Sequence, residues 1–184
     1  MKSIALVLIV ALAVPAVLFS ADKRSIPLDM FIIIDASTAL RNVKDAVIEW
    51  VCDHLIDNQL QDGDHLTVWL VTDNAQIVFS DSLDRVRKGA VKTTLRKLRP
   101  SGGNANFSAA LHDAAVRATA IQNANHIVST FLVVGAESDI FLNKADDAAE
   151  LLRFSRVQDF SGWRLLTIGL GLAAQVQRGA AGWQ

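Results

Sequence analysis

The chain has 184 residues, of which 51% are hydrophobic and 20% are charged, and its formal net charge is -1. This balance is typical of a globular domain with a full apolar core and excludes an intrinsically disordered chain. The near-neutral charge also argues against a nucleic-acid-binding protein, because no overall basic field would attract a polyanion.

The N-terminal segment is typical of bacterial export. Lys2 precedes the apolar run 4–19, and a polar stretch follows. A charged start, an apolar middle and a polar exit predict a secretory signal peptide over residues 1–21. Cleavage after Ala21 would put Phe19, and cleavage after Ser20 would put Leu18, at a position where a small residue is preferred. An uncleaved membrane anchor therefore stays open as the alternative. Either interpretation places the protein outside the cytoplasm, in the periplasm or cell envelope.

Beyond residue 25, strand-like and helix-like segments alternate. The predicted strands are 28–35, 65–72, 75–79, 128–135 and 163–170, and the predicted helices are 42–57, 84–98, 106–121 and 144–154. Only Asp73 and Asn74 connect the second strand to the third, which predicts an antiparallel hairpin at one edge. The pattern predicts a three-layer α/β/α domain over residues 27–180, with a mostly parallel sheet and one antiparallel edge strand.

The first predicted strand, 28–35, is mostly apolar and ends on a carboxylate. A strand of this composition is buried on both faces, as in a parallel sheet. Asp35 then emerges at the C-terminal edge, where open α/β sheets bind ligands. Ser37 follows two residues later, and both side chains carry oxygen atoms of the kind that hard divalent cations accept.

Three motifs, in chain order, resemble the von Willebrand factor A domain family. They are the strand exit Asp35-Ala-Ser37-Thr-Ala39, the loop Gly102-Gly-Asn104-Ala-Asn106 with Ala110-Leu111 after it, and the strand 131–139, which resembles the family strand that ends in Thr-Asp-Gly. The resemblance covers about residues 27 to 172. It implies an α/β Rossmann-like fold and a role in protein binding.

The resemblance also implies a metal-ion-dependent adhesion site. In the family, an Asp-x-Ser-x-Ser strand exit, a threonine of the second loop and an aspartate of the third loop hold a divalent cation. Asp35 and Ser37 match this set, but the other three positions offer no side-chain oxygen: Ala39, Ala105, and Val134 or Gly135. Magnesium requires about six oxygen ligands. The expected site is therefore degenerate, with no cofactor or only weak Mg²⁺ or Ca²⁺ binding.

Other polar side chains of the same loops are candidate substitutes. They are Asp73, Asn104, Asn106, Glu137, Ser138 and Asp139. Asn104, Asn106 and Asp139 are predicted to take part in binding, while a capping or turn role is the alternative for each, because Asn and Asp favour such positions. A cation-dependent adhesin that uses Asp35 and Ser37 with such oxygens stays open.

The second predicted helix carries an unusual density of positive charge. Its basic residues are Arg85, Arg87, Lys88, Lys92, Arg96, Lys97 and Arg99. Lys88 and Lys92 are predicted to belong to a docking face for an acidic partner or an anionic envelope surface. A solvated helix face is the alternative.

No segment carries a recognisable catalytic motif. The pattern from Gly169 to Ala174 leaves no room for a second nucleotide-binding strand, the four histidines are far apart in sequence, and Cys52 is expected to be a buried apolar residue. We therefore expect a noncatalytic protein-protein interaction module of the bacterial envelope, with another envelope protein as partner. An exported enzyme with an unrecognised active site at the sheet edge is the alternative from another class.

Overall fold

The computed structural model describes residues 24–103, 105–121, 126–135 and 155–168. Within these ranges one sheet contains six strands: β1 (Leu28–Asp35), β2 (His65–Val71), β3 (Ala75–Ser82), β4 (Ile127–Gly135), β5 (Ser155–Phe160) and β6 (Trp163–Ile168). The α-helices of the same ranges are α1 (Lys44–Trp50), α2 (Arg85–Arg96) and α3 (Ser108–Ile121). A 3₁₀ turn (Thr38–Leu40) precedes α1, and a π-helical segment (Val51–Asp57) continues it.

Strand β1 lies at the centre of the sheet, in the order β3-β2-β1-β4-β6-β5. It runs parallel to both neighbours, and its register places Ile33 beside Trp69 and Leu132. All eight of its residues are buried. The mostly apolar composition of β1 suits this position because both faces of the strand are covered.

The side chains of β1 alternate between two cores. Ile32 and Ile34 pack with residues of α1, the π-helical segment and α2. Phe31 and Ile33 pack on the opposite face, against the alanine-rich side of α3. Helices therefore cover both faces of the sheet, and the predicted three-layer α/β/α class is confirmed.

Antiparallel pairing occurs at both edges of the sheet. β3 pairs antiparallel with β2, as predicted from the short connection. At the other edge, β6 runs antiparallel to β4 and forms a hairpin with β5. The sequence had predicted strand 163–170 in the parallel part of the sheet and no strand at 155–160, so this edge corrects the prediction. Gly162 explains the hairpin, because the turn needs its positive φ of 83°.

Several predicted segments lie outside the described residues. These are the signal peptide or anchor, 1–21, the helix 144–154, and the chain after residue 168. Across the residues that are described, no helix has the length and apolar character needed to cross a membrane.

Candidate functional site

The exit from β1 is closed by hydrogen bonds within its own loop. Asp35 has no exposed surface and Ser37 only 1%. The backbone N–H of Ser37 donates to Oδ1 of Asp35 at 2.7 Å. The Ser37 hydroxyl in turn accepts from the backbone N–H of Ala39 at 3.3 Å and caps the 3₁₀ turn. The two side chains that match the metal-binding motif thus serve the local backbone.

Backbone hydrogen bonds join three loops at this C-terminal edge. The N–H of Ala36 donates to Val71 O at 2.7 Å, and the N–H of Ser101 donates to Ala36 O at 2.9 Å. The N–H of Asn106 donates to Thr72 O at 2.8 Å. The loops that follow β1, β2 and α2 therefore meet, as the motifs had predicted.

The positions that lack a side-chain oxygen are buried or partly buried. Ala105 is 2% exposed, Val134 is fully buried, and Ala39 is partly buried. Asn106 is exposed and its side chain accepts from the Ser108 N–H at 3.2 Å, which fits the capping or turn role that is the alternative to binding. Asn104 and Asp139, with Glu137 and Ser138, lie outside the described residues.

Among the described residues, the carboxylates near this edge do not form a metal-binding cluster. In the described ranges, no group of three or more histidine, cysteine, aspartate or glutamate side chains is arranged to hold a metal ion. Asp73 is exposed on the next loop, beside Gly102. The absence of a cation at Asp35 and Ser37, or only weak Mg²⁺ or Ca²⁺ binding there, stays a prediction.

The basic residues of α2 are largely engaged within the chain. Lys88 Nζ donates to Leu60 O at 2.5 Å, and Lys92 Nζ lies 2.8 Å from both carboxylate oxygens of Asp57. Arg96 forms two hydrogen bonds with Glu49, which lower the pKa of that carboxyl and raise the pKa of the guanidinium. These contacts join α2 to α1 and to the segment that follows α1. Because Lys88 and Lys92 bind groups of the same chain, a docking role for them stays a prediction.

Among the described residues, the groups capable of nucleophilic or acid–base chemistry include one histidine and one aspartate in direct contact. Burial raises the pKa of the Cys52 thiol to about 11, so the unreactive protonated form prevails near neutral pH. His54 stacks on Trp50 with ring centroids 4.9 Å apart. His126 Nδ1 instead lies 2.5 Å from Asp29 Oδ2, at the opposite end of the sheet.

Sequence reasoning missed this second group of polar residues. Asp29 and His126 are 97 positions apart, and no motif connects them. The one available signal was a carboxylate inside an otherwise apolar strand, since such a group needs a partner when it is buried.

The predicted element order is present as far as β4, and backbone hydrogen bonds bring the loops of the first two motifs together at one edge of the sheet. Of the third motif, residues 131–135 form the end of β4 and the rest lies outside the described residues. The fold is von Willebrand factor A-like. The antiparallel β5–β6 hairpin is the part of the sheet that the sequence resemblance did not predict.

No protein-family model matches the chain, and no curated protein matches it. Among solved structures, it is similar to a von Willebrand factor type A protein from Catenulispora acidiphila, with 20% identity over 56% of this chain and 25% of that one and a TM-score of 0.44. The pilus adhesin SpaC from Lactobacillus rhamnosus GG gives 12% identity, 61% and 16% coverage and a TM-score of 0.42.

An aerotolerance-related membrane protein from Bacteroides fragilis is similar over 85% of this chain and 88% of that one, with 15% identity and a TM-score of 0.39. The chain thus spans a quarter or less of the first two proteins and most of the third. The fold assignment rests on the strand order and the motifs rather than on these likenesses.

Proposed function

We propose that the protein is a noncatalytic protein-protein interaction module of the bacterial envelope, and that it recognises another envelope protein through its own side chains rather than through a tightly held cation. The observation that carries the proposal is the engagement of Asp35 and Ser37. Both are buried, and each satisfies a backbone N–H of the same loop. A tight Mg²⁺ site requires more oxygen ligands than these two side chains supply.

Exposed basic side chains at the C-terminal edge are available to contact the surface of a partner protein. Arg41 follows the exit of β1, and Lys97 and Arg99 follow α2, just before the loop that bonds to Ala36. All three are exposed, and no ion pair to another described residue engages them. Positive charge at this edge favours an acidic surface on the partner.

The export-type N-terminal segment supports the envelope location. Its charged start and apolar middle fit a signal peptide, or an anchor if it is uncleaved. The buried, protonated Cys52 supports a noncatalytic module, because the cysteine is not poised as a nucleophile.

Calorimetric titration tests the cation question directly. The full chain and the variant Asp35→Ala are each titrated with MgCl₂, MnCl₂ and CaCl₂. We expect at most weak heats that do not saturate in the millimolar range, and the same result for both proteins. Saturable binding that the variant loses would instead establish the cation-dependent adhesin.

Site-specific photo-crosslinking tests the binding edge. A photoreactive amino acid replaces Lys97, or Val86 as the control, since Val86 is 80% exposed at the other end of α2. We expect the Lys97 variant to crosslink one envelope protein with and without EDTA, and the Val86 variant not to do so. Equal crosslinking from both positions, or its loss with EDTA, would contradict the proposal.

A further inference from the structure

A cavity of about 330 Å³ opens at the amino end of the sheet, on the face covered by α3. It is lined by Asp29, Phe31, His65, Thr67, Arg117, Ala120 and Ile121. Its volume falls at the small end of the range for ligand pockets, roughly 300–1,000 Å³. The lining combines the apolar side chains of Phe31, Ala120 and Ile121 with the carboxylate of Asp29 and the guanidinium of Arg117.

Asp29 supplies the acidic side of the cavity. It lies on β1 next to His65 of β2, and its side chain is only 7% exposed. One carboxylate oxygen, Oδ2, is held by His126 Nδ1 at 2.5 Å. Within the described ranges no hydrogen bond reaches the other oxygen, Oδ1. A buried carboxylate in this state retains the capacity to accept a charged donor.

Arg117 supplies the basic side and is held in place by two contacts. Its Nε lies 3.1 Å from Asp113 Oδ2, and its guanidinium lies 5.8 Å from the centroid of the Trp69 ring. Asp113 is fixed in turn by the Trp69 indole N–H at 3.1 Å. These contacts leave the two terminal nitrogens of the fork without a partner among the described residues. An arginine anchored in this way is preorganised for a carboxylate.

The two opposite charges line one cavity without pairing, since no contact within 4.0 Å joins Asp29 to Arg117. We propose that the cavity binds a small zwitterion, namely a free amino acid with an aliphatic side chain. Its ammonium group binds Asp29 and its carboxylate binds Arg117. The side chain of the ligand lies against Phe31, Ala120 and Ile121, which removes part of its apolar surface from water.

The inference is independent of the proposed function, because the cavity lies at the end of β1 opposite to Asp35. The two sites are tested with different probes, so one proposal can fail while the other holds.

Calorimetric titration of the full chain tests the zwitterion proposal with three matched probes. L-leucine carries both charges, N-acetyl-L-leucine lacks the ammonium, and L-leucinamide lacks the carboxylate. We expect saturable binding of L-leucine and at least about tenfold weaker binding of the other two, because each loses one charge-assisted contact. Absence of saturable L-leucine binding in the millimolar range, or equal binding of all three probes, would overturn the proposal.

Variants assign the contacts to their residues. Arg117→Gln and Asp29→Asn are each expected to weaken L-leucine binding about tenfold. Arg85→Gln removes an exposed arginine from α2, on the opposite face of the sheet, and leaves the binding unchanged. Circular dichroism checks that each variant is folded. If burial of Asp29 makes Asp29→Asn unfold, the half-exposed Arg117 still decides the question. Undiminished binding in folded Arg117→Gln would refute the assignment.

Discussion

The two ends of β1 carry one buried aspartate each, on the same face of the strand, and the two are used differently. Asp35 accepts a hydrogen bond from the loop that follows it two residues later. Asp29 is held by a histidine 97 positions away and lines a cavity. Asp35, which lies within the recognisable motif, is thus hydrogen-bonded to its own loop. Asp29, which belongs to no motif, instead lines a cavity.

A sequence motif therefore locates an edge of the sheet without deciding where binding groups are available. At the C-terminal edge, oxygen atoms are engaged in capping and backbone contacts. At the amino edge, a separated carboxylate and guanidinium share one cavity. Substitutions at the two edges therefore test whether the two aspartates differ in this way.

The largest effect is expected at Asp64, which holds the amino edge together. Its side chain is 5% exposed and accepts from Leu28 N–H at 2.9 Å, from Gln61 N–H at 2.7 Å and from Arg24. We expect Asp64→Ala to lower the free energy of unfolding by about 3 kcal/mol, because buried donors lose their acceptor. Urea denaturation measures this loss.

Asp62 provides the matched control, since it is an exposed carboxylate in the same turn. Asp62→Ala is expected to change the free energy of unfolding by less than about 0.5 kcal/mol. Similar losses in both variants would mean that the turn, rather than the buried contacts of Asp64, carries the stability.

A smaller effect is expected at Asp35, and it should not depend on cations. Asp35→Ala leaves the Ser37 N–H without its acceptor in a buried loop, which costs about 2 kcal/mol. Urea denaturation in EDTA and in MgCl₂ should give the same loss. A loss that grows in MgCl₂ would show that the carboxylate holds a cation in the native state, and the contrast between the two aspartates would disappear.

The centre of the fold was predictable from sequence because its signals are local. The apolar run of β1 and the short connection before β3 each specify a strand and its pairing. The far edge was not predictable in this way. Its hairpin depends on Gly162 and on Phe160 stacked on Trp163 at 4.2 Å, with Trp50 packed beside them from a distant helix.

The candidate binding residues likewise include some that local motifs predict and others that only the packing of the fold brings together. Asp35 and Ser37 follow directly from the strand exit, and Asn106 from the loop motif. The cavity combines Asp29 of the first strand with Arg117 of the third helix, and only the packing of α3 on the sheet brings them together. Asp29 and Arg117 are far apart in the sequence, so no short motif predicts that they line the same cavity.

The ion pairs of α2 should contribute less to the free energy of unfolding than Asp64 or Asp35 does. Lys92 and Asp57 are 22% and 41% exposed, so water screens their attraction. A double-mutant cycle with Lys92→Ala and Asp57→Ala should give a coupling free energy of about 0.5 kcal/mol. A coupling as large as the loss at Asp35 would show that the pairing of α2 is a main stabilising contact.

The smallest effect is expected at the half-exposed pair of Glu49 and Arg96, where the pH dependence of stability identifies the origin of the effect. The hydrogen bond from Arg96 lowers the pKa of Glu49 below its usual 4.5 in the folded protein. Stability from this pair is therefore present above pH 4.5 and is lost as the pH falls through the lowered value. Thermal unfolding should show a slight destabilisation by Glu49→Gln at pH 7 that vanishes in acid, whereas Gln59→Ala, an exposed substitution without this pair, should show no such convergence. If the Glu49→Gln difference persisted at low pH, its origin would lie in packing of the side chain rather than in its charge.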